Sequence, residues 1–468
     1  MDEPRVEDAD DERVDLVVAG AGGGLVAALR AAELGLSVLV VDRSEHFALG
    51  NNTSMSTAMI PGAGSRWQRA AGVADDAGRF LDDVRRKTGG SADPRVAATL
   101  AGVSARLVEW LADHAGLDLD LVTDFDYPGH SVWRCHTVPD RSGRTMLAAL
   151  LAAVRRRPEI DLMAPAELVD VEHDGRLRGV TLRTPHGTES VPARALLLAT
   201  NGFAGDPDLV RRHLPEMAGA LYHGSEGSTG DALRLGGALG AAVAQLDAYQ
   251  GHAAVAMPGA TLAGWATVMH GGFLVDRAGA RFGDETTGYS EYASVVLDRA
   301  GGEAWIVVDR RIHEACLAFR DYQETVATGA VRWGDSPAEL AERTGIDPQG
   351  LAATVAETGL VARGERPDRF GRTHWEAPLA GALAAISVRP ALFHTQGGLS
   401  IDEHARVLRP DGGPVAGVYA AGGAAVGMSG AGAGGYLAGN GLLAALGLSL
   451  LAAEHAAGTA GEGGADPD

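Results

Sequence analysis

The chain has 468 residues, room for two or three domains, and its 46% apolar and 22% charged residues are an ordinary globular balance. Forty Lys and Arg against 61 Asp and Glu leave a net charge of −21, which repels phosphate backbones and anionic lipid heads and argues against nucleic acid or a membrane surface as partner. Two cysteines, Cys135 and Cys316, with no C-x-x-C spacing exclude a disulfide framework and thiol redox motifs, and 65 glycines with no G-x-y period fit a backbone that closely approaches a large ligand.

In chain order, residues 1–13 are acidic and predict a disordered tail. They lack the basic and apolar regions of a secretory signal, so a cytoplasmic location is expected. Residues 14–20 (VDLVVAG) predict a buried parallel strand, 23–34 a helix, and 37–42 (SVLVVD) a second strand. Residues 66–157 have a mostly helical pattern, interrupted by a loop from Asp124 to Arg144 that is dense in His, Tyr, Trp and Arg. Turn signals within 159–199 predict an antiparallel meander ending on a buried strand at 195–200. The Gly-broken stretch 215–385 reads as a separate, inserted domain of mixed character. Strand–turn–strand pattern returns from 394, and GVYAAGG (417–423) leads through a Gly-rich stretch to a terminal helix. Its most apolar part, 442–453, is too short to span a bilayer. Residues 458–468 predict a flexible tail.

Gly20, Gly22, Gly23 and Gly24 follow the first strand and open the helix, and Asp42 ends the second strand. Such glycines let a backbone approach a pyrophosphate at a helix N-terminus, and an acid about 20 positions on accepts ribose hydroxyls. Counted as G-x-G-x-x-G, the third glycine position falls on Leu25, so Gly24 serves with a turn one residue shorter. The motif indicates a dinucleotide without separating NAD from FAD.

An ordered set of motifs then resembles one family. It comprises GAGGG (20–24), GNNTSMSTAMIPG (50–62), ATNGF (199–203), STGDALRLGGALGA (228–241), GGFLVDRAGARFGDE (271–285), HTQGGLSIDEHARVLRPDG (394–412), GVYAAGG and GGYLAGNGLL (434–443). The chain resembles the FAD-binding family of fumarate reductase and succinate dehydrogenase flavoproteins and 3-ketosteroid Δ1-dehydrogenases. The resemblance implies an α/β fold: a Rossmann-like FAD-binding domain, with parallel sheet and antiparallel meander, formed by 14–214 and 386–457. An α+β capping domain, 215–385, would be inserted in it. It implies FAD contacts from the glycine turn, Asp42, Arg43, Asn52, Thr53, Ser54, Met55, Ser56, Thr200, Asn201, Gly202, Asp231, Gly423, Gly439, Asn440, Gly441 and Leu442. Some relatives attach FAD through a His where this chain has GNNTS, so a noncovalent cofactor is expected. Relatives often carry Glu where this chain has Gly423.

Fumarate reductases use one Arg shortly after an R-F-x-N-E motif as proton donor, and a second in G-G-N-R-L-G-G-N to grip a carboxylate. Here the first stretch runs Arg281 to Tyr289 without an Arg at that place, and the second has Tyr436. Two tyrosines are the ketosteroid-dehydrogenase pattern. It implies Tyr436 as donor to a ketone oxygen and Tyr289 as acceptor of the α-proton. A neutral phenol favours an enolate and a deprotonated one is a base, whereas guanidinium is a poor base. His252 and His394 fall where fumarate reductases bind carboxylates, and Tyr127, His130 and His136 are candidates to complete the pocket. The expected reaction is introduction of a C=C bond α,β to the carbonyl of a cyclic ketone, with or without a carboxylate on it, with an external electron acceptor (oxygen, quinone or carrier). A fumarate-reductase-type alkene reductase and a non-catalytic flavin- or NAD-binding protein are the rival readings. Bland alternatives stand beside each residue: Tyr289 on the surface, His252 as a satisfied core histidine, loop aromatics that only pack.

Overall fold

The computed structural model describes residues 13–124, 127 and 129–462. The expected tail at 1–13 lies, but for Arg13, outside the described residues. The elements that matter here are β1 (Val14–Ala19), α1 (Gly24–Glu33), β2 (Val38–Val41), α2 (Pro94–Asp113), β3 (Ile160–Met163), β4 (Glu167–His173), β5 (Leu177–Thr184), β6 (Gly187–Leu198) and α3 (Asp231–Ala238). They are followed by β7 (Tyr249–Ala256), β8 (Phe273–Val275), β9 (Ala304–Asp309), β10 (Leu383–Thr395), β11 (Arg406–Leu408), β12 (Pro414–Ala420) and α4 (Asn440–Glu462).

The chain divides into two compact units. The first joins Met1–Leu209, Gly224–Tyr249 and His394–Asp468. Its sheet runs β11-β12-β6-β1-β2-β3, with β4 and β5 continuing from β6 as antiparallel hairpins. β1 pairs in parallel with β2 (Leu16 opposite Val38) and with β6 (Leu16 opposite Ala195). From Leu16 on in β1 and throughout β2 the side chains are buried on both faces, as a covered parallel sheet requires. The 159–199 stretch is a meander only from β4 onward, because β3 joins β2 in parallel.

α4 differs from expectation. It reaches Glu462, so the expected flexible tail is helical at its start. Residues 440–460 are long and apolar enough to cross a membrane by length and composition, although 61% of the most apolar stretch is buried inside the structure. The helix packs on α1 and α2 as a core element.

The second unit comprises Val210–His223 and Gln250–Phe393. Its sheet is centred on β10, with β7 and β9 on either side and β8 beyond β9. β7 and β9 are buried along their whole length, and Phe273, Trp305, Val307, Leu340 and Leu351 share one core. These bounds differ from the expected 215–385. Residues 224–249 return to the first unit, where Gly230 N–H donates to Gly202 O (3.0 Å) and Val243 pairs with Leu399. The tail of β10 extends the insert to Phe393, because one continuous strand leaves it with no turn at 385.

Candidate functional site

In the first unit, β1 ends at Gly20, whose φ of +117° and position, with a Cβ placed 2.2 Å from Ala199 O, admit glycine alone. Gly24 opens α1 against Val18, and a Cβ on Gly23 would lie 2.8 Å from Ala445 Cβ of α4. Gly22 faces Thr53 and Asn51 instead. Asp42 Oδ2 accepts from Ala21 N–H (2.9 Å) and Oδ1 from Ser44 N–H (3.0 Å), and burial raises its carboxyl above the usual range against those bonds.

The segment after β2 makes a helical turn, Asn52–Met55, in which Asn51 caps Ser54 N–H. Ser54 and Ser56 donate to backbone oxygens of Asn51 and Thr53, both at 2.8 Å, and Asn52 accepts from Ser225 N–H. Thr53 and Ser54 are buried, whereas Met55 is exposed. Arg43 and Asp231, both expected at the cofactor, pair with each other, and Arg43 also donates to Thr229 Oγ1 (2.9 Å) and Glu167.

Asn201 sits at φ +66°, accepts from Gly202 N–H and donates to Ser228 Oγ. A Cβ on Gly423 would stand 2.5 Å from Asn201 Oδ1, so the Asn201 amide fills the space that a side chain at 423 would need. Gly439 (φ +84°) packs on Pro61 ahead of α4, and Leu442 is buried in the core. Thr200 Oγ1 and both amide atoms of Asn440 are buried with no hydrogen-bond partner. Unpaired buried polar atoms are rare in native proteins. With the glycine turn, the Asp42 carboxylate and the N-terminus of α4, they form a donor and acceptor set that fits a dinucleotide flavin.

Tyr436 is buried in the turn before α4, its ring 6.0 Å from that of His394 and edge-on to it. Gln396 Nε2 (3.1 Å) and Thr395 O (3.3 Å) both lie against His394 Nδ1, and Ser429 Oγ donates to Gln396 Oε1 (3.2 Å). Desolvation pushes the His394 pKa down to about 4. A Cβ on Gly441 would lie 2.9 Å from His394 Cε1, so that glycine lets the imidazole lie against the start of α4.

In the Asp124–Arg144 loop the candidate pocket residues are engaged with their own surroundings. His130 is engaged on both nitrogens, Nε2 to Ala438 O (3.1 Å) and Nδ1 to Arg134 (3.1 Å). Tyr127 packs with Met59, Val122, Cys135 and Ala438. His136 bonds Ser65 Oγ (2.7 Å). The organising group is Arg134, buried between Asp75 and Asp83 and over Phe80, which sequence reasoning missed because its partners lie far off in the chain. Burial pushes the Cys135 thiol up to about 12, as expected of an inert cysteine.

In the second unit, His252 lies in β7, sandwiched between Tyr289 (5.0 Å between ring centres) and Phe393 (5.3 Å). Trp265 meets its edge. Ala254 N–H donates to His252 Nδ1 (3.1 Å), which places the ring proton on Nε2, and desolvation brings the pKa down to about 3. His252 is therefore a neutral donor. Arg281 is held by Glu285 and Asp368, with Arg372 also on Glu285. The structure thus groups Tyr289 with His252 in the second unit and Tyr436 with His394 in the first.

The FAD binding domain family matches residues 15–442. Among curated relatives, the NADH:fumarate oxidoreductase of Klebsiella pneumoniae (strain 342) is 28% identical over 457 residues, 96% of this chain and 48% of that protein. This chain therefore spans about half the length of that relative. The 4-oxocyclohexanecarboxylate 2-dehydrogenase of Sinomonas cyclohexanicum is 28% identical over 91% of this chain and 92% of its own. Among solved structures, the open conformation of a flavocytochrome c3 fumarate reductase superposes with a TM-score of 0.81 at 25% identity, covering 98% of this chain and 82% of that one. The chain belongs to the FAD binding domain family. It is a flavin-dependent oxidoreductase whose cofactor is FAD.

Proposed function

We propose that this protein dehydrogenates a cyclic ketone, forming a C=C bond between the carbons α and β to the carbonyl. The observation that carries the reading is Tyr436, a buried phenol beside the neutral His394, in a segment from 427 to 442 that contains no arginine. A neutral O–H placed there stabilises charge developing on a ketone oxygen. It offers no cation to clamp a dicarboxylate.

Tyr289 takes the α-proton. FAD, when bound, supplies a two-electron acceptor for the β-hydride, and the electrons leave to an external acceptor. The glycine turn, Asp42, Thr200 and Asn440 hold the cofactor noncovalently. Arg43 and Asp231, paired with each other, join them at the cofactor. The Sinomonas relative acts on a ring ketone that carries a carboxylate, which supports this substrate class. The Klebsiella relative supports the alternative, alkene reduction, and the missing arginines weigh against it.

The test is anaerobic mixing of the yellow holoenzyme with a panel of ligands. 4-Oxocyclohexanecarboxylate or cyclohexanone should bleach the flavin within seconds, and succinate should not. Rapid bleaching by succinate with none by ring ketones would return the site to the fumarate-reductase type. Heat or acid should release FAD and leave a colourless chain.

A further inference from the structure

Trp265 in the second unit is 6% exposed, and its indole Nε1–H is buried with no acceptor. Its ring meets the edge of His252 at 84° with centres 6.2 Å apart. His252 Nδ1 is taken by Ala254 N–H, so His252 also presents an N–H, on Nε2, with no partner among the described residues. Tyr289 stacks on the face of His252. Two neutral donors of one aromatic cluster thus lack acceptors.

An indole N–H can only donate, so its partner must be an acceptor oxygen. Leaving such a donor buried and unmade is costly, which makes a missing ligand atom its natural complement. Arg281 and Arg372 of the same unit are engaged by Glu285, and the donors that the cluster itself presents are the neutral N–H groups of Trp265 and His252.

We infer that Trp265 Nε1 is a substrate-positioning donor which, with His252 Nε2, binds a second acceptor oxygen carried on the ring of the ketone substrate. Resting on the reading above, this makes the preferred substrate a cyclic ketone with a ring carboxylate or second carbonyl, and not a bare ring ketone. Trp265 acts on where the ring lies, not on the bonds that break.

Trp265→Phe keeps an aromatic ring and removes the N–H. Dissociation constants read from the flavin absorbance change should rise about tenfold for 4-oxocyclohexanecarboxylate and stay within twofold for cyclohexanone. Loss should appear in KM more than in kcat. With 15N-labelled indoles, one of the seven tryptophan N–H signals should shift downfield when the ring carboxylate binds the wild type, and none should do so with cyclohexanone. That measurement stands if the variant fails to fold. A trapped water shared with Tyr292, whose hydroxyl is also buried and unpartnered 6.0 Å away ring to ring, is the rival. It predicts that Trp265→Phe and Tyr292→Phe lower the melting temperature while leaving both dissociation constants alone, and that outcome overturns the inference. If ring ketones bleach the flavin but Trp265→Phe binds the carboxylate normally, only this inference falls. If no ketone bleaches it, the functional reading falls and takes this one with it.

Discussion

Replacing Tyr436 by Phe removes one oxygen and keeps the ring against His394. If the hydroxyl stabilises a developing enolate, the loss should cost about 10²–10³ in kcat with FAD still bound. Tyr289→Phe should cost roughly 10²–10⁴ if that oxygen takes the α-proton, because the ring stack with His252 survives and only the proton acceptor is gone. Deuterium exchange at the substrate α-carbon, measured by mass spectrometry without turnover, should fall in both variants. Two Phe variants with wild-type turnover would remove both tyrosines from the chemistry. His252, His394 and the two tyrosines could be singled out in the sequence because each sits in or beside a recurring motif, and the structure does pair them ring to ring. His130 and Tyr127 were equally suggestive by residue type. His130 takes its place from Arg134, which Asp75 and Asp83 hold through contacts across more than 50 positions that leave no local pattern. Trp265 gave no motif signal at all. Only its unsatisfied N–H, a three-dimensional property, draws attention to it.

At the scale of elements, the glycine turn has two jobs that mutation should separate. Gly23→Ala puts a methyl 2.8 Å from Ala445 Cβ and 3.0 Å from Ala445 O, where α1 packs against α4. Neither backbone can give way cheaply, so the apoprotein should lose about 1–3 kcal/mol in chemical denaturation. Gly22→Ala meets only the movable Thr53 hydroxyl at 2.9 Å, so stability should stay within about 1 kcal/mol of wild type. The added methyl instead obstructs backbone approach to the pyrophosphate, and FAD titration should show at least a tenfold weaker complex. Equal FAD affinity for Gly22→Ala and wild type would show that the cofactor does not lie on this turn. The β1–α1–β2 unit was readable because a short β-branched run that meets glycine, followed by a helical period, fits little besides a buried strand turning into a helix. The edges of the insert were not. Residues 224–249 look Gly-broken and mixed like their neighbours, and contacts distant in sequence, such as those to Asn52, Gly202 and Leu399, tie them to the first unit. The end of α4 was not legible either, because the glycine-rich stretch from 458 reads as a tail while the helix runs on to Glu462. In the structure Glu454 is tied by Arg30 and Arg106.

For the whole molecule, the buried histidines set the acid limit of stability. Desolvation holds His130, His136 and His394 at about 4 and His252 at about 3, against an ordinary value of 6.5. A histidine whose folded pKa is depressed contributes fully above pH 6.5, where both states are neutral. That contribution is lost as pH falls toward the folded pKa, because the unfolded chain takes up the proton first. At pH 5 each group should cost about 2 kcal/mol, and four together are comparable to the whole stability of a typical domain. Asp321, raised by burial to about 6, works in the opposite direction over part of this window. Its folded form binds a proton that the unfolded form has released, so unfolding should take up about three protons net between pH 6 and 4.5. Asp83, held down to about 2 by Ser131 and Arg134 against its burial, adds its own loss only below pH 4. Guanidinium denaturation of the apoprotein across pH 4.5–7.5 should therefore show stability falling below about 6, where the histidine loss outweighs the Asp321 gain. His252 lies in the second unit and the other three in the first, so probes placed in each should both record the fall. Stability that stays level down to pH 4.5 would mean that these imidazoles are hydrated or already charged in the folded protein. That would also undo the neutral state on which the reading of His252 and His394 depends.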